Sequence, residues 1–155
     1  MRRNRGRRPR LDPAPLLAKV GITPYRVAED SMTPALNEGD GLLTVRLRRP
    51  RFGRIVVLDH PAQPGFVLVK RLIGRPGETV EVRDGCIRIN GGALDEPWAQ
   101  GRSGPDGTWR VGAEAMFVAS DARELTLADS RRFGPVPIAG ARRVIKVVPG
   151  AGLNS

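Results

Sequence analysis

The sequence contains one cysteine, Cys86, one histidine, His60, seven aromatic residues and only three lysines among 26 basic side chains. A single cysteine excludes an internal disulfide framework and any cysteine-based zinc cluster. A single histidine leaves a metal site without partners, and no glycine-rich phosphate loop follows a strand, so neither metal nor cofactor is expected. The longest apolar run is five residues, Ala115 to Ala119, whereas a membrane-spanning helix needs about 20. The N-terminus has the basic character of an export signal's first region. Asp12, Pro13, Pro15 and Lys19 interrupt the apolar residues that would have to follow it. The chain therefore reads as soluble or peripheral to a membrane.

What is present is arginine, glycine and proline. The chain has 155 residues, 19 Gly, 14 Pro and a formal net charge of +10. That length suits one domain with one core, and the punctuation predicts short strands joined by Gly/Pro-rich loops in a mainly β fold. Residues 1–20 read as a flexible basic arm. Its Arg2, Arg3, Arg5, Arg7, Arg8 and Arg10 suit peripheral contact with an anionic membrane. A folded domain follows over 21–149, with an irregular excursion at 91–114, and 150–155 form a tail. Expected strands are 41–47, 54–59, 65–73, 78–83, 86–90, 115–120 and 141–147. Asp84-Gly85 suits a two-residue type I′ turn, which places Val82 opposite Ile87, Val80 opposite Ile89 and Glu81 opposite Arg88. Cys86, at the head of the return strand, reads as a small packing residue.

Two places carry chemistry. In Glu29-Asp30-Ser31-Met32-Thr33-Pro34, the proline restricts the residue before it, so Ser31 sits where the chain leaves regular structure. A serine in such a bend can present its hydroxyl beside free backbone N–H groups, as acyl transfer requires. In Val67-Leu68-Val69-Lys70-Arg71-Leu72-Ile73, strand alternation puts Leu68, Lys70 and Leu72 on one face. Desolvation between leucines lowers a lysine's pKa toward that of a general base, a role closed to arginine. The bland alternatives are a turn serine and a lysine whose stem covers the leucines while its head reaches water. His60, at a strand end before Pro61, reads as a loop histidine, because Asp59 points to the other face and cannot orient it.

Four motifs in order resemble the bacterial type I signal peptidases, Ser/Lys-dyad serine endopeptidases. They are Ser31-Met32-Thr33-Pro34 with Gly39-Asp40; Val69-Lys70-Arg71-Leu72-Ile73-Gly74-Arg75-Pro76-Gly77-Glu78; Cys86-Ile87-Arg88-Ile89-Asn90-Gly91; and Ser120-Asp121-Ala122-Arg123 with Ala128-Asp129-Ser130-Arg131. The resemblance spans about Tyr25 to Val148. It implies a single-domain β fold shared with self-cleaving repressors, Ser31 as nucleophile, Lys70 as general base and an acyl-enzyme mechanism. Asp129, Ser130 and Arg131 would support the dyad, with Thr126 standing in for a hydroxyl that orients the lysine. The implied substrate is a precursor's signal or leader peptide, bound as an extended strand, and the family acts at the bacterial cytoplasmic membrane. The chain departs from the family in lacking an N-terminal span, in having Ser120-Asp121-Ala122 where Gly-Asp-Asn is usual, and in placing Glu29 two residues before the nucleophile.

Two rival readings remain on sequence grounds. A self-cleaving repressor needs a DNA-binding module and a scissile Ala-Gly or Cys-Gly upstream, and residues 1–30 hold neither. A catalytically impaired β module could bind nucleic acid or anionic membrane through its arginines. The scarcity of aromatics to stack on bases argues against nucleic acid.

Overall fold

The computed structural model describes residues 20–151. The arm's six arginines, and the tail from residue 152 onward, lie outside the described residues. Eleven strands follow in order: β1 (Thr23–Arg26), β2 (Gly41–Arg46), β3 (Ile55–Asp59), β4 (Val67–Gly74), β5 (Thr79–Arg83), β6 (Cys86–Ile89), β7 (Gly92–Ala93), β8 (Gly107–Arg110), β9 (Ala115–Ala119), β10 (Val136–Pro137) and β11 (Arg142–Val148). One turn of helix, α1 (Ser130–Phe133), precedes β10. They form a seven-stranded sheet of order β1-β2-β11-β3-β4-β9-β10 and a four-stranded sheet of order β7-β6-β5-β8. The last strand, β11, wedges between β2 and β3, so the large sheet closes only when the chain's end arrives.

Strand β4 organises the rest. It is the longest strand, eight residues, and pairs with β3 along Val67–Arg71 and with β9 from Arg71 onward. Leu68 and Leu72 project into a core with Val56, Leu58, Met116 and Val118. Ile73 projects to the opposite side, where it meets Val80, Val82 and Ile87 of the small sheet, Val111 just after β8, and Phe117 and Ala119 of β9. Each such fully buried aliphatic side chain contributes about 1.5–3 kcal/mol. A third cluster, Val27, Met32, Leu36, Leu42 and Val57, lies under the loop between β1 and β2. Both faces of β4 are therefore covered, which is why it reads as a nearly continuous apolar run.

The hairpin takes the register expected of it. Val80 pairs with Ile89, Glu81 with Arg88 and Val82 with Ile87, around Asp84 and Gly85 at φ 54° and 80°. Cys86 differs from expectation: it is exposed, since the inward positions of that strand belong to Ile87 and Ile89. The excursion is also more regular than expected. Its Gly107–Arg110 segment pairs with β5 as β8, although a glycine and an arginine at its ends give it no strand-like pattern. Strand β1 was hidden for the same reason: Thr-Pro-Tyr-Arg acquires its form from pairing with β2.

Gly74 sits at the junction of the two sheets, where an added Cβ would meet Val80 Cγ2 at 2.6 Å and Phe117 Cβ at 2.8 Å. Gly74→Ala is expected to lower stability by about 1–3 kcal/mol in urea unfolding. Gly112→Ala, whose nearest new neighbour is Ala115 Cβ at 3.9 Å, should stay within about 0.5 kcal/mol.

Candidate active site

The loop carrying Ser31 is held at both ends and from below. Val27 N donates to Asp40 O at 2.9 Å and Gly39 N to Val27 O at 2.8 Å, closing its base. The Asp40 carboxylate accepts from Asn37 N at 2.8 Å and from Gly150 N at 2.9 Å, tying the loop to the chain's end. Those two amides hold the Asp40 pKa below its ordinary value. Met32 and Leu36, one helical turn apart and joined by Leu36 N donating to Met32 O at 2.9 Å, drop into the core beneath. Ser31 is left on top, with its carbonyl accepting from Ala122 N at 3.0 Å. Among the described residues the Ser31 N–H donates to nothing, so it is free to bind a developing oxyanion.

Lys70 Nζ lies 3.0 Å from Ser31 Oγ. The lysine is only 1% exposed and the serine 6%, so the lysine head does not reach water. Burial lowers the Lys70 pKa below its ordinary value; the charges of Asp129, Glu29 and Asp121 oppose this, and that of Arg131 assists it. As an ammonium, Nζ donates to the hydroxyl. As an amine, its lone pair accepts the hydroxyl proton. Removing the proton from Nζ is therefore coupled directly to activating Oγ.

Behind the pair stands a buried polar scaffold. Asp129 caps α1: Oδ1 accepts from Arg131 N at 3.0 Å and Arg131 Nε at 2.9 Å, while Oδ2 accepts from Ser120 N at 2.9 Å and Arg131 Nη2 at 2.8 Å. Burial pushes the Asp129 pKa up, but these donors outweigh it and hold the group below its ordinary range. Arg131 also donates to the carbonyls of Arg123 at 2.8 Å and Thr126 at 2.7 Å. Ser130 Oγ accepts from Val118 N at 2.9 Å, fastening α1 to β9. Asp129, Ser130 and Arg131 thus sit together behind the strands that carry Lys70. Thr126 faces its own loop, its Oγ1 accepting from Ala128 N at 3.0 Å, and no hydrogen bond links it to Lys70 among the described residues.

Sequence reading passed over two further arginines. Arg71, on the opposite face of β4 from Lys70, makes a bidentate pair with Asp121 and lies 4.8 Å from the Trp98 ring centroid. Arg123 is 1% exposed and donates to Ser120 O at 2.6 Å, Ser103 Oγ at 2.9 Å and Glu96 Oε1 at 2.6 Å. It clasps the excursion onto the segment that anchors Ser31. The only available signal was an arginine within an otherwise small-residue motif. Ser120 is fully buried with an unpartnered Oγ, at the end of β9 and on the face of Leu72 and Lys70 by the β4–β9 register. His60 stays in its loop, where Nδ1 accepts from Ala62 N at 3.0 Å and the ring meets Phe66 and Phe133. No group of three metal-ligating side chains occurs among the described residues.

Beside the Ser31–Lys70 pair lies a cavity of about 130 Å³, bounded by Tyr25–Glu29 on one side and Phe66–Val69 on the other, with Ser31 and Met32 between them. The backbone of Val67–Val69 pairs with β3 on one edge, and β9 begins pairing on the other edge only at Arg71. An extended chain could pair along that open edge.

Known proteins are similar to this chain over most of its length. A family model described as "Signal peptidase, peptidase S26" matches residues 14–146. Signal peptidase I of Leptolyngbya laminosa is 36% identical over 126 residues, covering 72% of this chain and 60% of that protein. Signal peptidase I of Bacillus licheniformis is 33% identical over 123 residues, 70% of this chain and 65% of that protein. The chain thus spans less than two thirds of the length of these two relatives. A solved signal peptidase I from Enterococcus faecalis V583 aligns with a TM-score of 0.55 at 31% identity, covering 64% of this chain and 99% of that one.

The scaffold's energetics are accessible to titration. With its pKa depressed by folding, Asp129 stabilises the protein fully above its ordinary value of 3.8, and that contribution is lost as pH falls through the lower folded value. Asp129→Asn is expected to cost about 3–5 kcal/mol at neutral pH, since it leaves the Arg131 charge buried and unpaired. Chemical unfolding across pH should also show the variant without part of the wild type's acid-side loss of stability.

Proposed function

The chain belongs to the signal peptidase S26 family, and on that premise we propose that it is a Ser/Lys-dyad endopeptidase removing N-terminal signal or leader segments from precursor proteins. The observation that carries the reading is the buried amine of Lys70, 3.0 Å from the Ser31 hydroxyl. Neutral Lys70 takes the hydroxyl proton as Oγ attacks the scissile carbonyl carbon. The oxyanion so formed accepts a hydrogen bond from the free Ser31 N–H. Collapse breaks the C–N bond, Lys70 returns its proton to the leaving amine, and an ester links the leader's new carboxyl end to Ser31. Lys70 then deprotonates a water that hydrolyses the ester and regenerates the hydroxyl.

The supporting groups act through the dyad. Asp129 and Arg131 neutralise each other in the interior and fix the Ser120 amide, while Ser130 fixes Val118, so the end of β9 is held beside Lys70. Thr126 contributes its carbonyl to Arg131. The substrate would lie extended along the open edge of Val67–Val69, and the small cavity beside Ser31 favours small side chains next to the cut. Exposed Phe66 and Val67 border that path and suit the apolar part of a leader.

Cleavage of a peptide with an Ala-X-Ala leader site tests the assignment. Ser31→Ala and Lys70→Ala should each lower kcat/KM by at least about 10²–10⁴-fold with the fold intact; unchanged cleavage in either variant removes the dyad. Because the Lys70 pKa is lowered, wild-type kcat/KM should rise with pH and level off below 10.5, the ordinary lysine value. Glu29 favours the protonated amine, so Glu29→Gln should move that rising limb to lower pH. A shift to higher pH would contradict the electrostatic account.

A further inference from the structure

Six of the chain's 26 basic side chains are gathered in one place. Arg46, Arg48, Arg49, Arg51, Arg54 and Arg143 line a cleft of about 440 Å³ with no acidic residue on its walls among the described residues. Five of the eleven described arginines outside the cleft behave differently. Arg71, Arg75, Arg83, Arg123 and Arg131 each pair with a carboxylate, whereas none of the six in the cleft does so among the described residues. These six and the basic arm together outweigh the chain's net +10, leaving the remaining surface slightly acidic. Mutual repulsion of six clustered guanidiniums disfavours the compact state, and a bound polyanion relieves it.

The cleft is also a fixed structure. Five of its arginines lie within residues 46–54, in the segment running from the end of β2 into β3. Gly53 N donates to Leu72 O at 2.8 Å, and Leu72 N to Arg54 O at 2.8 Å, fastening that segment to β4. Arg71 Nη1 donates to Gly53 O at 3.0 Å, and Phe52 packs on Trp98 with ring centroids 5.4 Å apart. Arg143 comes from β11, opposite Val45 in register. Gly21 lies on the rim, so the basic arm enters the fold at the cleft itself.

We propose that this cleft is a docking surface for the phosphate groups of anionic phospholipids, holding the protein against a bilayer. Guanidinium forks match phosphate oxygens in paired hydrogen bonds, and a short cleft fits separate headgroups rather than a polymer. No aromatic ring lines it, so bases have nothing to stack on. The inference goes beyond the peptidase reading, and its readout is lipid binding rather than cleavage.

Flotation of the full chain with vesicles of phosphatidylcholine, alone or mixed with phosphatidylglycerol, tests it. Binding is expected only to the mixed vesicles and should weaken with added salt. The variant Arg48→Gln/Arg49→Gln/Arg51→Gln should bind about a hundredfold more weakly, at about fivefold per arginine near the surface, while retaining its circular dichroism and thermal unfolding. Arg46→Gln/Arg143→Gln, which changes the two strand-borne positions instead, should weaken binding as well. Undiminished binding by both variants would place the contact on the arm and overturn the proposal. Equal binding to both vesicle types would overturn it too.

Discussion

Burying one amine is the constraint around which this molecule is arranged. A lysine inside an aliphatic face is costly as a cation, and Lys70 sits between Leu68 and Leu72 at 1% exposure. Two answers are available to a protein: supply a paired anion, or let the proton go. Here the nearest hydrogen-bond partner is the neutral Ser31 hydroxyl. The carboxylates of Asp129 and Asp121 act on Lys70 only at a distance, each being bound to its own arginine. Burial therefore outweighs these charges and holds the Lys70 pKa below its ordinary value. The same burial that makes Lys70 unfavourable as a cation suits it to the base role proposed for it.

The scaffold around Ser31 and Lys70 keeps that burial from relaxing. Buried ion pairs are poor sources of net stability, but removing one partner is severe. Arg71–Asp121, Arg123–Glu96 and Arg131–Asp129 each join segments far apart in sequence or cap a turn next to the site. Through Ser120, Ala122 and Val118 they fix the backbone opposite Lys70 and beneath Ser31. These arginines specify position. The arginines of the basic cleft, unpaired among the described residues, are the ones proposed to meet lipid phosphate instead.

Much of this was legible in the sequence, for identifiable reasons. Strands with both faces buried, such as β3 and β4, announce themselves as apolar runs, and alternation placed Lys70 correctly among leucines. The Asp84-Gly85 turn fixed a register because few dipeptides tolerate two positive φ angles. The 3.0 Å approach of Ser31 to Lys70 was expected from resemblance, since 39 residues of chain separate them and no local pattern encodes the contact. Illegible elements were those whose form comes from a partner: β1, β8 and the single turn of α1. Arg123 was missed because its role depends on Glu96 and Ser103, brought to it by an excursion that looked irregular. The basic cleft was hidden too, because Arg143 reaches it only when β11 inserts into the sheet.

The scarcity of lysine provides the most direct test. Lys19, Lys70 and Lys146 are the only three in the chain, so selective carbon-13 labelling of lysine yields at most three side-chain signals to follow by NMR as pH is raised. The account predicts that one signal, absent from Lys70→Arg, titrates below the ordinary value of 10.5. If all three titrate at the ordinary value or above, Lys70 is held as a cation and the amine-base account of the site is wrong.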